Sequence, residues 1–330
     1  MNRVRPPPSR DYIQYSYAQQ THLCHPFDMR LDEIVVEVAA TFETRFLVIS
    51  NTHGHQLPPE YFEQQADVAI HCGELTTESR IDEIHAPIKL VIAGNHDFAL
   101  DIPMFKQKVS EVTSTLEPDL MKREYDDYGE ASEMFLEAKR SGIFLLDEGT
   151  HHFTLHNGAS LKVFASPYTP SLGNWGFQYH PETGHNFEIS NDVDIPITHG
   201  PPKGIMDTTN SGDRAGCPRL FEAVARSRPR MHCFSHIHEG WGAKLVAWRP
   251  KVCEKPSHFT DIDHGRSKLL ARLSQTNSKT RVFQTSHCSD DQTPLIRNSQ
   301  TLIVNAAVEG TEDFPAQPLW LVDLDLPSAT

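Results

Sequence analysis

Short apolar runs recur along the chain, and each of them ends at glycine, proline or a polar residue. Eight of these runs are rich in valine, isoleucine and leucine, a composition that is typical of β-strands. The runs are almost continuously apolar instead of alternating, which indicates sheets that are covered on both faces. The predicted strands are RFLVIS (45–50), ADVAIHCG (66–73), IKLVIAG (88–94), LKVFASP (161–167), VDIPITHG (193–200), RMHCFSH (230–236), TLIVNAAV (301–308) and LWLVDLDL (319–326).

Helical periodicity appears between these strands, over residues 101–113, 125–141 and 218–227. Strands that alternate with helices favour an α/β fold, because the helices cover the faces of a mostly parallel sheet. The sequence contains no internal repeat. We therefore predict one α/β domain over residues 44–250, which final strands within residues 301–330 complete.

Two stretches break this pattern. The first 20 residues are polar and contain several prolines, and we expect residues 1–43 to form a mobile tail with the lead-in to the first strand. Residues 251–300 are polar and weakly periodic, and an irregular segment of this length inside a domain is usually functional or disordered. We predict a disordered insertion over 251–300, with one short helix near 268–273. A protein partner, if the chain has one, would bind through residues 251–298.

Charge and composition argue against several classes of protein. The net charge of -14 argues against a nucleic-acid polymer as a partner, because phosphate backbones are bound by surfaces rich in Lys and Arg. No apolar run reaches membrane-spanning length, and the first 20 residues lack the apolar core of a signal peptide. The 6 cysteines are scattered without a CxxC pair, so we expect reduced thiols in a cytoplasmic chain that does not bind membranes.

Residues that can bind metal ions follow nearly every predicted strand. In α/β sheets, ligands bind in the crevice at the carboxyl ends of the strands. We therefore expect the strand ends to meet in one crevice that is lined by imidazole, carboxylate and amide groups. The residues at these ends are Asn51, His53, Glu74, Asn95, His96, Asp97, His199, His236 and His238.

The order of these residues along the chain is N-x-H … G-E … G-N-H-D … H-G … S-H-x-H. It resembles the calcineurin-like metallophosphoesterases, whose pattern is D-x-H … G-D … G-N-H-[DE] … H … G-H-x-H. The segments VIAGNHD, SPYTPSLGNWGF, ITHGPPKGIMD, GCPRLFEAV and HIHEGWG are similar to the branch of metallophosphoesterase-domain-containing proteins. The resemblance covers residues 44–250 and resumes at 301–326. It implies a four-layer sandwich, in which two mixed β-sheets pack face to face with helices outside.

The resemblance also implies a site for two divalent metal ions. Mixed imidazole and carboxylate ligands favour Mn, Fe or Zn, whereas a site made only of oxygen ligands favours Mg or Ca. Glu74 would bridge the two ions. By resemblance, the first ion is bound by Asn51, His53, Glu74 and His238, and the second by Glu74, Asn95, His199 and His236.

The same resemblance implies a course for the hydrolysis of a small phosphoester substrate. A hydroxide held between the two metal ions would attack the phosphorus in line, while the ions neutralise charge on the phosphoryl oxygens. His96 would be the general acid that protonates the leaving oxygen, and Asp97 would orient the His96 ring.

Three residues depart from the family pattern. Asn51 retains a carbonyl oxygen that can bind a metal ion but lacks the charge of the aspartate it replaces, which predicts a weaker first metal site. Glu74 also replaces an aspartate, and its additional methylene extends the carboxylate; a displacement of about 1 Å can cost on the order of 100-fold in rate. Ser235 replaces a glycine and adds a Cβ beside the last two histidines.

These departures leave two functions open. The first is metal-dependent hydrolysis of phosphoesters, for example by a phosphodiesterase that acts on nucleotides or small phosphoesters. The second is a catalytically weak or inactive relative that binds a phosphate compound or a protein partner. The retained histidines favour hydrolysis, whereas Asn51 and Glu74 favour the weak or inactive relative.

The remaining histidines and one aromatic segment have structural interpretations. His71 and His232 lie within apolar strands and are expected to be core residues with satisfied hydrogen bonds. The segment WGF at 175–177 is expected to pack within the fold, although the resemblance places this loop near the site. The histidines expected to lie in loops are His151, His152, His156, His180 and His185.

Overall fold

The computed structural model describes residues 40–53, 57–75, 80–112, 128–276, 279–311 and 314–329, so residues 1–39 of the predicted tail lie outside it. The strands are, in chain order, β1 (Thr41–Ile49), β2 (Val68–His71), β3 (Ile88–Val91), β4 (Ile143–Leu145), β5 (Gly149–Thr154), β6 (Ser160–Ser166), β7 (Thr169–Pro170), β8 (Gln178–Tyr179), β9 (Ile195–Thr198), β10 (Met231–Phe234), β11 (Gly242–Ala247), β12 (Lys268–Arg272), β13 (Val282–Ser286), β14 (Gln300–Asn305), β15 (Glu309–Thr311), β16 (Phe314–Ala316) and β17 (Leu319–Pro327). The α-helices are α1 (Pro59–Phe62), α2 (Ile102–Val112), α3 (Glu130–Ala138) and α4 (Pro218–Ser227).

The first large sheet has 6 strands in the order β13-β17-β1-β2-β3-β4. Strands β1 to β4 are parallel to one another. Strand β17 is antiparallel to β1, with Thr41 opposite Pro327 and Val48 opposite Trp320. The sheet is therefore mixed, and its parallel part brings the carboxyl ends of β1, β2 and β3 to one edge.

The second large sheet has 7 strands in the order β12-β11-β14-β10-β9-β6-β5. Its central strands β6, β9, β10 and β14 are parallel. Strand β11 is antiparallel to β14, β12 is antiparallel to β11, and β5 is antiparallel to β6. This sheet is also mixed, and its parallel centre brings the ends of β9 and β10 together.

The two sheets pack face to face through one large apolar core. In this core Trp320 of β17 stacks on Trp241, with ring centroids 5.1 Å apart. Phe221 of α4 packs in a second apolar cluster on the outer face of the seven-stranded sheet. Tyr61 of α1 packs with Leu47 of β1 on the outer face of the six-stranded sheet. The order helix, sheet, sheet, helix confirms the predicted four-layer α/β sandwich.

Each of the predicted strands is present, because long buried strands carry the strongest apolar signal. The helix predicted over 218–227 is α4, that over 101–113 contains α2, and that over 125–141 contains α3. Residues 113 and 125–127 lie outside the described residues. No described helix has the length and apolar character that crossing a lipid bilayer requires.

The structure corrects the prediction for residues 251–300. This segment contains β12 and β13, which form the edges of the two sheets beside β11 and β17. The predicted disorder is wrong for its described residues, and the helix expected near 268–273 is β12. Ala271 is the single buried residue of β12, and no residue of β13 is fully buried. Edge strands of this kind lack the continuous apolar run that reveals a central strand.

Candidate metal centre

Backbone hydrogen bonds join the loops that follow β1 and β2. The Asn51 N–H donates to the Gly73 carbonyl over 3.1 Å, and the Thr52 N–H donates to the Glu74 carbonyl over 3.2 Å. These bonds continue the pairing of the two parallel strands into the loops. The side chains of Asn51 and Glu74 are therefore presented on neighbouring, fixed pieces of backbone.

Asp97 ties the loop after β3 to the loop after β2. Its carboxylate accepts hydrogen bonds from the backbone N–H groups of Glu74 (2.8 Å), Leu75 (2.8 Å) and Gly94 (2.6 Å). Burial raises the pKa of Asp97 to about 6, and the Gly94 and Glu74 amides oppose this rise. None of these hydrogen bonds reaches the His96 ring, which Asp97 was expected to orient. Asp97 instead positions the backbone of Glu74.

Several residues of the predicted site have left-handed backbone conformations. Side chains other than glycine adopt positive φ values at a cost of about 1 kcal/mol or more, so such conformations persist where surrounding contacts enforce them. Their clustering here indicates loops that are shaped for a function. The residues are Asn51 (φ 53°), His53 (φ 39°), Glu74 (φ 62°) and His236 (φ 67°).

Two glycines allow the loops to approach one another closely. A Cβ at Gly73, which has a φ of +103°, would lie 2.7 Å from Nδ1 of His199. A Cβ at Gly94 would lie 2.6 Å from Cγ of Glu74. Both distances are too short for atoms that are not bonded, so any larger residue at either position would displace a predicted metal ligand.

Potential metal ligands form two clusters, one for each of the two ions that the resemblance implies, and Glu74 belongs to both. The second cluster consists of Glu74, His199 and His236, whose ligand atoms all lie within 4.8 Å of one another. His199 follows β9 and is wholly buried. Its Nδ1 lies 2.8 Å from the Cys72 carbonyl oxygen, which can only accept, so Nδ1 carries the proton. The Nε2 atom of His199 then carries a lone pair. It lies 3.0 Å from Asn95 Oδ1 and 3.3 Å from Glu74 Oε1.

Three electron-rich atoms therefore face one another at the second cluster: His199 Nε2, Asn95 Oδ1 and Glu74 Oε1. Glu74 Oε1 is buried and has no hydrogen-bond partner among the residues that the structure describes. A metal ion between Glu74, His199 and Asn95 would satisfy all three atoms, and the bond from Nδ1 to a carbonyl is the arrangement that orients metal-binding histidines. The residues of the second cluster thus fit the metal ion that the resemblance implies.

The protonation of the second cluster also suits a metal ion. Burial alone would raise the pKa of Glu74, but its contacts with His199 and His53 hold the pKa well below its usual range. Burial, together with the neighbouring His199, lowers the pKa of His236 to about 3. At neutral pH the cluster presents a carboxylate and a neutral His236 imidazole, the protonation states that bind metal ions.

The first cluster consists of His53, Glu74 and His238, and it is more open. The His53 and His238 side chains are 20% and 27% exposed, whereas the His199 side chain is 0% exposed. His53 Nε2 is in contact with Glu74 Oε2. Burial lowers the pKa of His53, but the contact with Glu74 outweighs this and the pKa is raised. Burial lowers the pKa of His238.

The Asn51 side chain lies beside the first cluster, and its amide nitrogen, instead of its carbonyl oxygen, faces Glu74 and His238. Nδ2 donates to Glu74 Oε2 over 2.6 Å and lies 2.7 Å from His238 Nε2. Oδ1 accepts hydrogen bonds from the Ser235 and Ser50 hydroxyl groups. The carbonyl oxygen that was expected to bind the first metal ion therefore faces Ser235, the residue that replaces the glycine of the family pattern.

His96 lies at the mouth of the site. Its Nε2 is 3.9 Å from Glu74 Oε1, and its side chain is 46% exposed. The ring is tilted against Trp175, with centroids 4.5 Å apart, and meets the His53 ring edge-on at 5.3 Å. The Gly176 N–H donates to the Asn95 carbonyl over 3.0 Å, which fixes the loop that carries Trp175. The aromatic segment at 175–177 thus borders the site as well as packing within the fold.

The structure adds Glu309, which the sequence interpretation missed. Its carboxylate contacts both histidines of the first cluster. Glu309 follows β14, so the rule that ligands lie after strand ends would have found it. A cleft of about 410 Å³ is lined by His53, Glu74, Asn95, His96, His236, His238 and Glu309.

His71 and His232, the two histidines expected within apolar strands, are both buried but differ in their contacts. His71 lies within hydrogen-bonding distance of the Thr52 hydroxyl and the Gly73 N–H, both 3.3 Å away, and so supports the loops of the site. His232 Nε2 lies 2.9 Å from the Thr198 hydroxyl, but its Nδ1 has no partner among the described residues. Burial lowers the pKa of each to about 3, so both are neutral.

This arrangement defines a class of protein. Residues 44–240 match the family model of the calcineurin-like phosphoesterases, which is more than half of the chain. The chain belongs to the calcineurin-like phosphoesterase family. The matched region contains all of the residues predicted from the sequence to form the metal site, and it excludes Glu309.

Individual relatives show more distant similarity. The chain is 33% identical to a probable rhamnogalacturonate lyase C of Emericella nidulans over 224 residues, which is 64% of this chain and 18% of that protein. It is 30% identical to the human metallophosphoesterase domain-containing protein 1 over 215 residues, which is 60% of this chain and 62% of the relative. The chain thus spans less than two thirds of either relative. The purple acid phosphatase of yellow lupin seeds is 9% identical, with a TM-score of 0.36 over 84% of this chain and 45% of that one.

Proposed function

We propose that this chain hydrolyses phosphodiesters with divalent metal ions bound at the two clusters. One observation carries the proposal: the buried carboxylate of Glu74 belongs to both clusters of potential ligands. A shared carboxylate holds two ions close together, as in enzymes that clamp the attacking and leaving oxygens of a phosphoryl group. The members of the clusters are His53 and His238 on one side and His199 and His236 on the other.

Each part of the site has a separate task in this reaction. Bound metal ions would neutralise the phosphoryl oxygens and activate water. The buried Asp97 carboxylate accepts hydrogen bonds from the Glu74 and Gly94 N–H groups and so fixes the backbone that carries Glu74 before substrate binds. His96 is free to donate a proton from its exposed ring to the leaving oxygen, which leaves as an alcohol.

Trp175 favours substrates with a flat leaving group. Its indole is 39% exposed beside His96, at the side of the cleft where the leaving oxygen would lie. Aromatic rings stack with about 0.5–1.5 kcal/mol beyond the area that they bury. Lys108 Nζ lies 5.0 Å from the indole and adds positive charge at this side. Nucleotides and aryl phosphodiesters combine a flat ring with an anionic phosphate and match both features.

The weak or inactive relative remains a second candidate because of Asn51. Its Nδ2 points at Glu74 and His238, where a metal ligand would present an oxygen. A chain of this kind would bind a phosphate compound at the second cluster without rapid turnover. The rate of hydrolysis at saturating metal separates this candidate from the phosphodiesterase.

The test is hydrolysis of an aryl phosphodiester and an aryl phosphomonoester by the metal-stripped chain as Mn is added. We expect the diester to be hydrolysed and His96→Ala to lower kcat by about 100-fold to 10,000-fold with the bound Mn unchanged. His156→Ala is the matched control, because His156 is an exposed histidine outside the cleft. Loss of Mn from His96→Ala would identify His96 as a ligand, and no Mn-dependent hydrolysis would favour the inactive relative.

A further inference from the structure

Glu309 lies beside the first cluster because the chain after β14 runs along the end of β1. Ser50 and Ala307 form a parallel β-bridge, and the Val308 N–H donates to the Ser50 carbonyl over 2.9 Å. Glu309 is the next residue and begins β15. Its position is therefore tied to the residue that precedes Asn51.

The carboxylate of Glu309 reaches both histidines of the first cluster. Its Oε2 lies 3.1 Å from His53 Nε2 and 3.3 Å from His238 Nδ1. His53 Nε2 is also the atom that contacts Glu74 Oε2, so the two carboxylates approach the same imidazole nitrogen. Two ligand atoms that each lie about 2.1 Å from one ion, with an angle of about 90° at the ion, are about 3 Å apart. The 3.1 Å between Glu309 Oε2 and His53 Nε2 matches this spacing.

The charge of the first cluster changes when Glu309 is included. Without it, the cluster has one carboxylate, Glu74, because position 51 is an asparagine. With it, the cluster has two imidazoles and two carboxylates, a set of ligands that suits Mn, Fe or Zn. The negative charge that position 51 lacks is thus present on β15 of the same chain.

Asn51 has a different task in this arrangement. Its Oδ1 is held by the Ser235 and Ser50 hydroxyl groups and lies 3.4 Å from the His236 backbone nitrogen, whose N–H donates to it. Its Nδ2 donates to Glu74 Oε2 over 2.6 Å. The amide therefore positions Glu74 and leaves the place of a second carboxylate open.

We propose that Glu309 supplies to the first metal ion the carboxylate that position 51 no longer provides. The inference rests on the metal-binding part of the proposed function. It does not depend on hydrolysis, because a weak or inactive relative could hold the same ion. The ion is a divalent cation of the Mn, Fe or Zn class, bound by His53, His238, Glu74 and Glu309.

The alternative task for Glu309 is to accept a hydrogen bond from His238 Nδ1. A glutamine at 309 keeps an acceptor for that bond but loses the charge. An aspartate at position 51 could restore the lost negative charge to the first cluster, because the side chain at this position lies next to His238 Nε2. It could not restore a bond to Nδ1. Rescue by Asn51→Asp therefore distinguishes a metal ligand from a partner of His238.

The experiment measures Mn bound per chain and its Kd by titration calorimetry and electron paramagnetic resonance. The chains are the wild type, Glu309→Gln, Asn51→Asp and the double variant. The control is Glu239→Gln, which removes an equal charge next to His238 from a side chain that accepts the Asn210 N–H over 2.9 Å. Thermal unfolding of each metal-free variant checks that it is folded.

We expect the wild type to bind two Mn ions and to show the spectrum of a coupled pair. Glu309→Gln should weaken the first ion at least about tenfold and leave a single-ion spectrum at limiting Mn. The double variant should recover the coupled pair, and Glu239→Gln should resemble the wild type. Unchanged binding in Glu309→Gln overturns the inference, as does a loss that Asn51→Asp fails to restore. A full pair of ions without hydrolysis would instead overturn the proposed phosphodiesterase alone.

Discussion

The two clusters that share Glu74 differ in burial and in how their ligands are held. In the second cluster, His199 is wholly buried, and its proton is fixed by the Cys72 carbonyl. In the first cluster, the histidines are partly exposed, and Glu309 comes from a different strand. Buried and fixed ligands lose little freedom when an ion binds, so the second cluster should bind first and more tightly. The first cluster should then control whether the site is complete.

The largest effect should come from replacing the buried histidine. His199→Ala removes a fixed ligand of the second cluster, and we expect loss of that ion and a fall in hydrolysis of about 1,000-fold. His53→Ala, in the first cluster, should remove the weaker ion and retain the tight one. Mass-spectrometric metal analysis of both variants checks this. The order of the clusters would be reversed if His53→Ala lost the tight ion.

Acid should affect His236 of the second cluster and His53 of the first cluster in opposite ways when no metal is bound. The pKa of His236 is about 3 in the folded chain, below its usual value, so between about pH 6.5 and 3 the unfolded chain binds a proton that the folded chain does not. This lowers the free energy of unfolding as the pH falls, by up to about 1.4 kcal/mol per pH unit. The raised pKa of His53 has the opposite sign: its stabilisation is present below about pH 6.5 and is lost as pH rises through the folded value.

Urea unfolding of metal-free chains at about pH 7.5 and about pH 5.5 measures this contrast. His236→Gln should flatten the loss of stability in acid, whereas His53→Gln should make it steeper. The wild type provides the reference slope. Equal slopes in the two variants would show that the folded state does not shift the pKa values of His236 and His53 in opposite directions.

A carboxylate at position 51 should reduce the difference in metal affinity between the two clusters. Asn51→Asp gives the first cluster a further charge, and we expect the Mn concentration for half-maximal hydrolysis to fall by about tenfold. At saturating Mn the gain should shrink, because the wild-type site is then filled. The double change with Glu74→Asp should differ from the sum of the single changes, since both side chains share one ion. An unchanged Mn dependence in both variants would mean that position 51 does not influence the metal.

The smallest effect should lie at the mouth of the cleft, outside both clusters. Trp175→Ala removes the ring beside His96, and we expect KM for an aryl phosphodiester to rise about fivefold, which corresponds to about 1 kcal/mol of stacking. A dialkyl phosphodiester has no ring and is the control substrate. A fall in kcat for both substrates would show that Trp175 positions His96 and does not contact the substrate.

The sequence predicted the central strands better than the edges of the sheets. Parallel strands such as β2 and β10 are buried along their whole length and are apolar apart from one histidine each, so their signal is local. Strands β12 and β13 are largely unburied and pair with β11 and β17, which are separated from them along the chain. Pairing across such distances leaves no local pattern, so the sequence alone predicts disorder for this segment.

The metal site likewise has features that the sequence predicts and features that it does not. The family motifs bring Glu74, His199 and the other predicted ligands together because each lies directly after a central strand. The orientation of Asn51 depends on Ser235, which belongs to the other sheet. The position of Glu309 depends on the path of the chain after β14. The task of Asp97 likewise depends on which backbone amides face it. The place of Glu309 after a strand could have marked it as a candidate, but the contacts that these three residues make arise from the packing of loops and cannot be read from spacing.

A stepwise Mn titration that follows bound metal and hydrolysis in the same samples tests whether the two clusters fill in order and whether hydrolysis needs both. The metal-stripped wild type receives Mn in small steps, and an aryl phosphodiester reports the rate. We predict that the first equivalent fills the second cluster with little hydrolysis, and that the rate rises as the weaker first cluster is filled. A rate that saturates with the first equivalent, or a chain that binds no Mn, would show that the two clusters do not act together in this way.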